Sequence, residues 1–256
     1  MRCESATPAE AYSHGHQVSQ RIIEAPLKPL AKSKYDRMGN FMNYAELLAE
    51  LQVHKALIVH CSRTGKGDEA IGGLFYPSDL RNAILICAAG SELCCSVVWP
   101  NHLETFGPVG IVLKPRSTAS ITSIYDHDSG SSIDPKTGKR VSMGAPFSNQ
   151  AVLGTFANAI SYNEWNVKDA GTIGIFVHPT QRWDVARRCN LTELPNYDPA
   201  MGDGTVIGAV TITLADVVAD FPKLPIYSFH RGEIVRVERG DDGHRPVVVD
   251  PADLYR

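Results

Sequence analysis

The stretch SYNEWNVKDAGTIGIFV, Ser161 to Val177, predicts two consecutive strands and places a carboxylate at the start of the first. β-forming residues dominate both runs, and a KDAG turn separates them. Residues two apart on a strand face the same way, so Glu164 and Asn166 share one face while Trp165 and Val167 share the other. If Trp165 lies in the core, Glu164 points towards solvent or into a cleft. The alternative interpretation is an edge-strand carboxylate without a function.

The rest of the chain predicts short helices and strands without a regular βαβ rhythm, which is typical of an α+β fold. Apolar spacing and Pro, Gly or Ser-Asp boundaries predict the elements. Helices are expected at 43–54, 76–90 and 148–160, strands at 55–62, 92–99 and 109–115, a strand and a helix at 206–221, and a hairpin at 233–250. The Ser, Thr, Asp and Gly-rich residues 116–147 predict a long loop, and such loops are usually functional or mobile.

The amino-acid composition indicates which broad class of protein this chain belongs to. The 256 residues are 43% hydrophobic and 21% charged, which is typical of a globular protein with a buried core. We expect an irregular, partly helical arm over 1–42 and one domain with a C-terminal extension over 43–256. Six cysteines without a C-x-x-C pair favour reduced thiols and a cytoplasmic location. Neither a long apolar run nor a signal region is present, so we expect neither a membrane span nor export.

Charge gives no general attraction to nucleic acid, because the net charge is -3. Polyanion binding would need local basic patches, and the candidates are residues 28–37, 114–116 with 136–140, and 182–188. Each of these is more simply a solvated surface. The nine histidines show no metal-binding spacing, so no metal is expected.

A glycine-rich loop follows the first predicted strand. SRTGKGDE lacks the spacing of a P-loop, but its backbone N–H groups and Arg63 could still hold a pyrophosphate. His60 ends the strand before this loop, where it is either a structural histidine or a ligand-binding one. Arg81 lies in the following helix and could reach back towards the same cleft.

Several of these blocks together resemble the DarT-type ADP-ribosyltransferases, toxins that attach ADP-ribose from NAD to nucleobases in DNA. The blocks are CCSVVWPN, VGIVLKP, the Ser-rich loop and YNEWNVKD, and the segment IVHCSRTGKGDEAIGGLFYPSDLRNAI is similar to the family's opening block. The resemblance covers roughly residues 55–178.

The resemblance implies an ADP-ribosyltransferase-like fold, with split, antiparallel-rich sheets and short flanking helices. It implies NAD as co-substrate, Glu164 and an arginine as catalytic residues, and His60, Ser62, Arg63 and Asn101 as NAD-binding residues. Both Arg63 and Arg81 fit the position of the arginine, and Arg81 is preferred for its place in the helix. The long loop would select the acceptor, and Tyr162, Trp165 or Phe147 could stack on a base.

The family further implies DNA as acceptor, single-stranded DNA above all, a role as toxin or phage-defence effector, and a macrodomain antitoxin as partner. Two alternatives stay open. The same fold could act on RNA or protein, including 2′-phosphate transfer on RNA, or the chain could be a non-catalytic nucleotide- or nucleic-acid-binding module. The oligomeric state does not follow from the sequence.

Overall fold

Eleven strands and five helices make up the described part of the chain. The computed structural model describes residues 42–62, 74–125, 144–157, 162–190, 205–240 and 243–256. The helices are α1 Tyr44–Val53, α2 Ser78–Ala88, α3 Asn149–Ala157, α4 Leu214–Asp220 and α5 Pro251–Leu254. The strands are β1 Leu57–Cys61, β2 Leu93–Val98, β3 Val109–Pro115, β4 Ile121–Tyr125, β5 Glu164–Val167, β6 Ala170–Val177, β7 Asp184–Asn190, β8 Thr205–Thr211, β9 Ile226–His230, β10 Glu233–Gly240 and β11 Gly243–Val248.

Nine of these strands form one mixed sheet in the order β11-β10-β9-β6-β3-β1-β2-β5-β4. Neighbours are antiparallel except β6 and β9, which pair in parallel. Strands β7 and β8 form a separate two-stranded ribbon. Pro246 lies on β11 at the end of this order, where a missing N–H does not interrupt the ladder. The prediction of an α+β fold is therefore confirmed.

The core lies along the central strands and beneath the helices. Leu57, Ile58 and Val59 of β1 are fully buried, as the unbroken apolar run of this strand requires. Trp165 is also fully buried, and its Nε1 donates to Thr155 Oγ1 of α3 at 2.9 Å. Trp165 therefore lies in the core, and its buried side chain is not available to stack on an acceptor base.

The strand that begins with Glu164 is an interior strand, because β5 lies between β2 and β4. The interpretation of Glu164 as an edge-strand carboxylate is therefore wrong. The turn predicted at KDAG lies between β5 and β6, but it comprises only Lys168 and Asp169, since β6 begins at Ala170, and Asp169 adopts a φ of 46° there. Aspartate tolerates this left-handed conformation better than most residues.

The predicted loop over 116–147 contains regular structure, so that part of the prediction is wrong. A 3₁₀ turn spans Thr118–Ser120 and leads directly into β4. Serine and threonine hid the strand, because only Ile121 and Ile124 face the core while their neighbours lie on a polar face. A bulge between Ile121 and Ser123 adds to the irregular pattern. Residues 126–143 lie outside the described residues.

Three further elements were not predicted, namely β7, β9 and α5. The sequence of β7 was considered only as part of a basic segment. The expected N-terminal arm lies almost wholly outside the described residues, which belong to one compact unit. No helix in the described ranges is long and apolar enough to cross a membrane.

Candidate functional site

Strand β2 separates the two strands that carry the principal predicted site residues. His60 lies on β1 and Glu164 on β5, the two neighbours of β2. Adjacent strands lie about 4.8 Å apart, so the two backbones are separated by roughly 10 Å.

Glu164 is held between two anchored neighbours in the chain. Its side chain is only 6% exposed, and Tyr125 of β4 is its strand partner. On one side Asn163 is fully buried, and on the other Trp165 is locked against α3. A carboxylate buried to this extent is costly unless its surroundings compensate the charge, so core packing does not explain its presence.

The face of the sheet around Glu164 is polar. Strand alternation places Glu164 and Asn166 on one face, and Asn166 Nδ2 donates to Ser123 Oγ of β4 at 2.8 Å on that face. Tyr125, opposite Glu164, belongs to the same face. Gly144 packs closely against the Tyr125 ring, because a Cβ on Gly144 would lie 2.4 Å from a ring carbon. The other face of β5 is apolar.

His60 lies where β1 leaves β2. The pairing of β1 with β2 ends at Val59 and Ser96, whereas its pairing with β3 continues to Cys61. Beyond that point His60 Nδ1 contacts the Cys94 carbonyl oxygen at 2.7 Å, so Nδ1 carries the hydrogen. Strict alternation directs His60 to the face opposite Glu164. The two side chains therefore lie on opposite faces of the sheet, with β2 between their strands.

Ser62 connects the end of β1 to the first turn of α2. Its backbone N–H donates to the Val109 carbonyl at 2.8 Å, and its hydroxyl donates to Asp79 Oδ2 at 2.6 Å. The side chain is almost fully buried. A role in NAD binding would require this hydroxyl to exchange Asp79 for the ligand. Arg63 lies outside the described residues.

Arg81 is held at the contact between α2 and α4. Its Nη2 donates to the Asp220 backbone carbonyl at 2.9 Å and lies 3.5 Å from the Asp220 carboxylate. The guanidinium also lies 5.7 Å from the centre of the Phe221 ring. A catalytic role would require the side chain to leave these partners, so Arg81 gains no support from its position.

Asn101 is exposed at the tip of a tight turn after β2. Trp99 and His102 close this turn with two backbone hydrogen bonds, of 3.0 and 2.8 Å. The turn follows the C-terminal end of β2. Cys94, whose carbonyl contacts His60, lies near the opposite end of that strand. An NAD-binding role for Asn101 stays a prediction.

The connection between β2 and β3 reaches both flanks of the site. The Cys61 thiol lies against Thr105, Phe106 and Gly107, and burial raises its pKa to about 12. Phe106 stacks on Tyr162, with ring centres 5.4 Å apart and planes 13° from parallel. The two rings are 38% and 36% exposed. Tyr162 lies two residues before Glu164 in the chain, so this pair of partly exposed aromatic rings is close to Glu164 in sequence on one side.

Two features of the site were missed in the sequence. Phe106 carried no recognisable signal, because its stacking partner is distant in the chain. Asn163 stands beside Glu164 in the quoted stretch, but its contacts depend on a strand 66 residues away. Phe147, proposed as a stacking residue, is partly buried and packs against the core.

The basic segments that the structure describes carry ion pairs. Arg116 binds Asp169 at 3.0 Å, and Arg182 binds Asp184 at 3.1 Å. Lys114 donates to the Arg256 carbonyl. These contacts agree with ordinary solvated surfaces, while residues 28–37 and 136–140 lie outside the described ranges.

The described ranges contain no cluster of three His, Cys, Asp or Glu side chains that could hold a metal ion. No protein-family model, no curated protein and no solved structure matches the chain.

Proposed function

We propose that the protein is an NAD-dependent mono-ADP-ribosyltransferase that modifies a nucleobase, with Glu164 as its catalytic carboxylate. The observation that carries this proposal is the burial of Glu164 at the head of an interior strand, at 6% exposure. Anchored neighbours fix the carboxylate, and preorganised charge is what an enzyme needs where positive charge develops.

In the reaction, the bond between C1′ of the ribose and the nicotinamide nitrogen breaks, and nicotinamide leaves with the bonding electrons. Glu164 would accept a hydrogen bond from the ribose 2′-hydroxyl and stabilise the oxocarbenium-like centre. The lone pair of a base nitrogen then forms the new bond to C1′, and Glu164 accepts the proton that this nitrogen loses. His60 would bind the NAD from β1, which β2 separates from the strand of Glu164.

The finer fold assignment belongs to the same proposal. An ADP-ribosyltransferase-like fold has split sheets, and β2 loses main-chain pairing to β1 beyond Val59 and to β5 beyond Trp165. These openings flank the residues proposed to contact NAD. The catalytic arginine stays open between Arg63 and Arg81, since the contacts of Arg81 are taken up by α4.

The acceptor is proposed to be an unpaired base, single-stranded DNA in the first place. The stacked rings of Phe106 and Tyr162 support this, because exposed aromatic rings bind the faces of bases without requiring a particular sequence. A base within a duplex would have to be flipped out to reach Glu164. RNA, a protein or simple NAD binding without transfer are the alternatives.

The test is incubation of the protein with NAD and separate pools of single-stranded DNA, RNA and protein, followed by mass spectrometry for one added ADP-ribose. We expect labelling of DNA, and a loss of about a hundredfold or more in Glu164→Gln. Glu238→Gln is the matched control, because Glu238 lies on β10 in a surface ion pair with Arg236. Labelling of RNA or protein alone would move the proposal to that acceptor, and equal rates in both variants would refute the role of Glu164.

A further inference from the structure

The ladder between β2 and β5 ends in a side chain instead of a main chain. Leu93 pairs with Val167 and Cys95 with Trp165. The next pair in this series joins Val97 to Asn163. There the Val97 N–H donates to Asn163 Oδ1 at 2.7 Å, and Asn163 Nδ2 donates to the Val97 carbonyl at 2.7 Å. The side-chain amide thus makes the two bonds that a paired backbone would make.

The main-chain pairing of β5 with β2 therefore stops at Trp165, and Glu164 lies between this last pair and the contact of Asn163 with Val97. Ser96 lies at the corresponding place on β2, and its fully buried hydroxyl has no hydrogen-bond partner within the described residues. A buried hydroxyl without a partner is unfavourable, so core packing alone does not explain Ser96 beside Glu164. Where the main-chain pairing stops, the Asn163 side chain joins the start of β5 to β2 through its two bonds to Val97.

A primary amide can serve both groups of Val97 at once. It offers a donor and an acceptor from one planar group, whereas a carboxylate only accepts and an alkyl side chain does neither. Burial makes the requirement strict, because an unpaired backbone group away from water is costly. Asn163 is fully buried, so water cannot replace it.

We propose that Asn163 is a positioning residue, which fixes the Glu164 carboxylate by clamping β2 to the start of β5. The inference rests on the proposed transferase function, in which a displacement of about 1 Å at the reacting group can cost a hundredfold in rate. Asn163 itself does not touch the reacting atoms. Its effect is exerted through the backbone that carries Glu164.

The test compares Asn163→Asp with Ser228→Ala. Aspartate keeps the size and the bond from the Val97 N–H, but it places an oxygen against the Val97 carbonyl. Ser228→Ala removes the buried hydrogen bond of 2.8 Å from the Ser228 hydroxyl to the Val177 carbonyl, so it weakens the contact of β9 with β6 without touching β2 or β5. We expect Asn163→Asp to lower kcat about tenfold or more at nearly unchanged KM for NAD. Ser228→Ala lowers the melting temperature but leaves kcat within about twofold.

A second readout does not depend on activity. The side-chain carboxyl ¹³C resonance of Glu164, assigned by its loss in Glu164→Gln, should move in Asn163→Asp and stay in place in Ser228→Ala. If Asn163→Asp does not fold, Asn163→Ala serves in its place. An unmoved resonance in the Asn163 variant, or equal shifts in both variants, overturns the proposal. Absence of transfer by the wild-type protein refutes the proposed function instead, and the resonance still decides the role of Asn163.

Discussion

At the residue scale, His178 shows how one buried ring makes stability depend on pH. Its Nε2 donates to the Leu103 carbonyl at 3.0 Å, while Nδ1 accepts from the backbone N–H groups of Thr180 and Gln181 at 3.1 and 3.0 Å. This pattern fits only the neutral ring. Burial lowers the pKa of His178, and the Leu103 carbonyl and Glu104 oppose this shift only in part.

We therefore expect stability to fall as the pH drops below about 6.5, where the unfolded histidine binds a proton that the folded one resists. The loss continues until the pH reaches the lower pKa of the folded state. Urea unfolding at about pH 7.5 and about pH 5.5 measures it, and His178→Gln should lose less stability over this interval than the wild type. An identical loss in both proteins would contradict the assignment.

The place of Glu164 at the start of a strand was predictable, because strand alternation relates it directly to Trp165, while its catalytic role stays a prediction. The contacts of Arg81 were not predictable, since Asp220 lies 139 residues further along the chain. The clamp of Asn163 on Val97 depends on a strand order that one sequence does not encode visibly. Local periodicity finds residues on strands, but it does not find their partners.

At the element scale, replacing glycine by alanine is expected to destabilise the protein at Gly110 and to stabilise it at Gly154. Gly110 of β3 faces Cys61 of β1, and a Cβ there would lie 2.5 Å from the His60 carbonyl oxygen and 2.7 Å from Val59 Cγ1. We expect Gly110→Ala to cost about 1–3 kcal/mol, because the strand carrying His60 must move. The affinity for NAD should also fall in Gly110→Ala, because His60 is displaced together with its strand. Denaturant unfolding and calorimetric titration measure the two effects.

The matched control is Gly154→Ala in α3, where no atom of the described residues, apart from the local helix backbone and the adjoining residues, lies within 4 Å of the added methyl group. Alanine should stabilise this helix by about 0.5–1 kcal/mol, since it restricts the unfolded chain and favours the helix. If both variants change stability in the same direction, the close approach of β1 and β3 does not determine the outcome.

The elements themselves were predicted where one face or the whole segment is apolar, as in α1, β1 and β3. Strand β4 was missed because serine and threonine occupy the polar face between its two isoleucines. The segment therefore resembles the Ser- and Thr-rich loop that surrounds it. Strand β9 was missed because it follows a proline-containing turn and has no alternation over its five residues. Its parallel pairing with β6 is a long-range arrangement, and no local pattern specifies it.

At the scale of the whole molecule, Tyr255 ties the C-terminal helix to the start of the central sheet. Its hydroxyl donates to the Ala56 carbonyl at 2.7 Å, immediately before β1, and the ring is buried. Tyr255→Phe should cost about 1–2 kcal/mol, because it leaves a buried carbonyl without a donor. Thermal and denaturant unfolding measure the change.

Tyr227→Phe is the control for this prediction. The Tyr227 ring is similarly buried, and no hydrogen bond of its hydroxyl is seen to the described residues. We expect a smaller effect on the free energy of unfolding. A larger loss in this control than in Tyr255→Phe would contradict the role assigned to the Ala56 contact.

The contact of Ala56 with Tyr255 joins residues 199 positions apart. The pairs β1–β3, β2–β5 and β6–β9 likewise join segments that other elements separate in the chain. Closing such long loops carries an entropic penalty before the contacts stabilise anything, so folding of this domain should be slow compared with helical proteins of its size. During that interval the unpaired strands are exposed to aggregation, and the protein should refold better when dilute and cool.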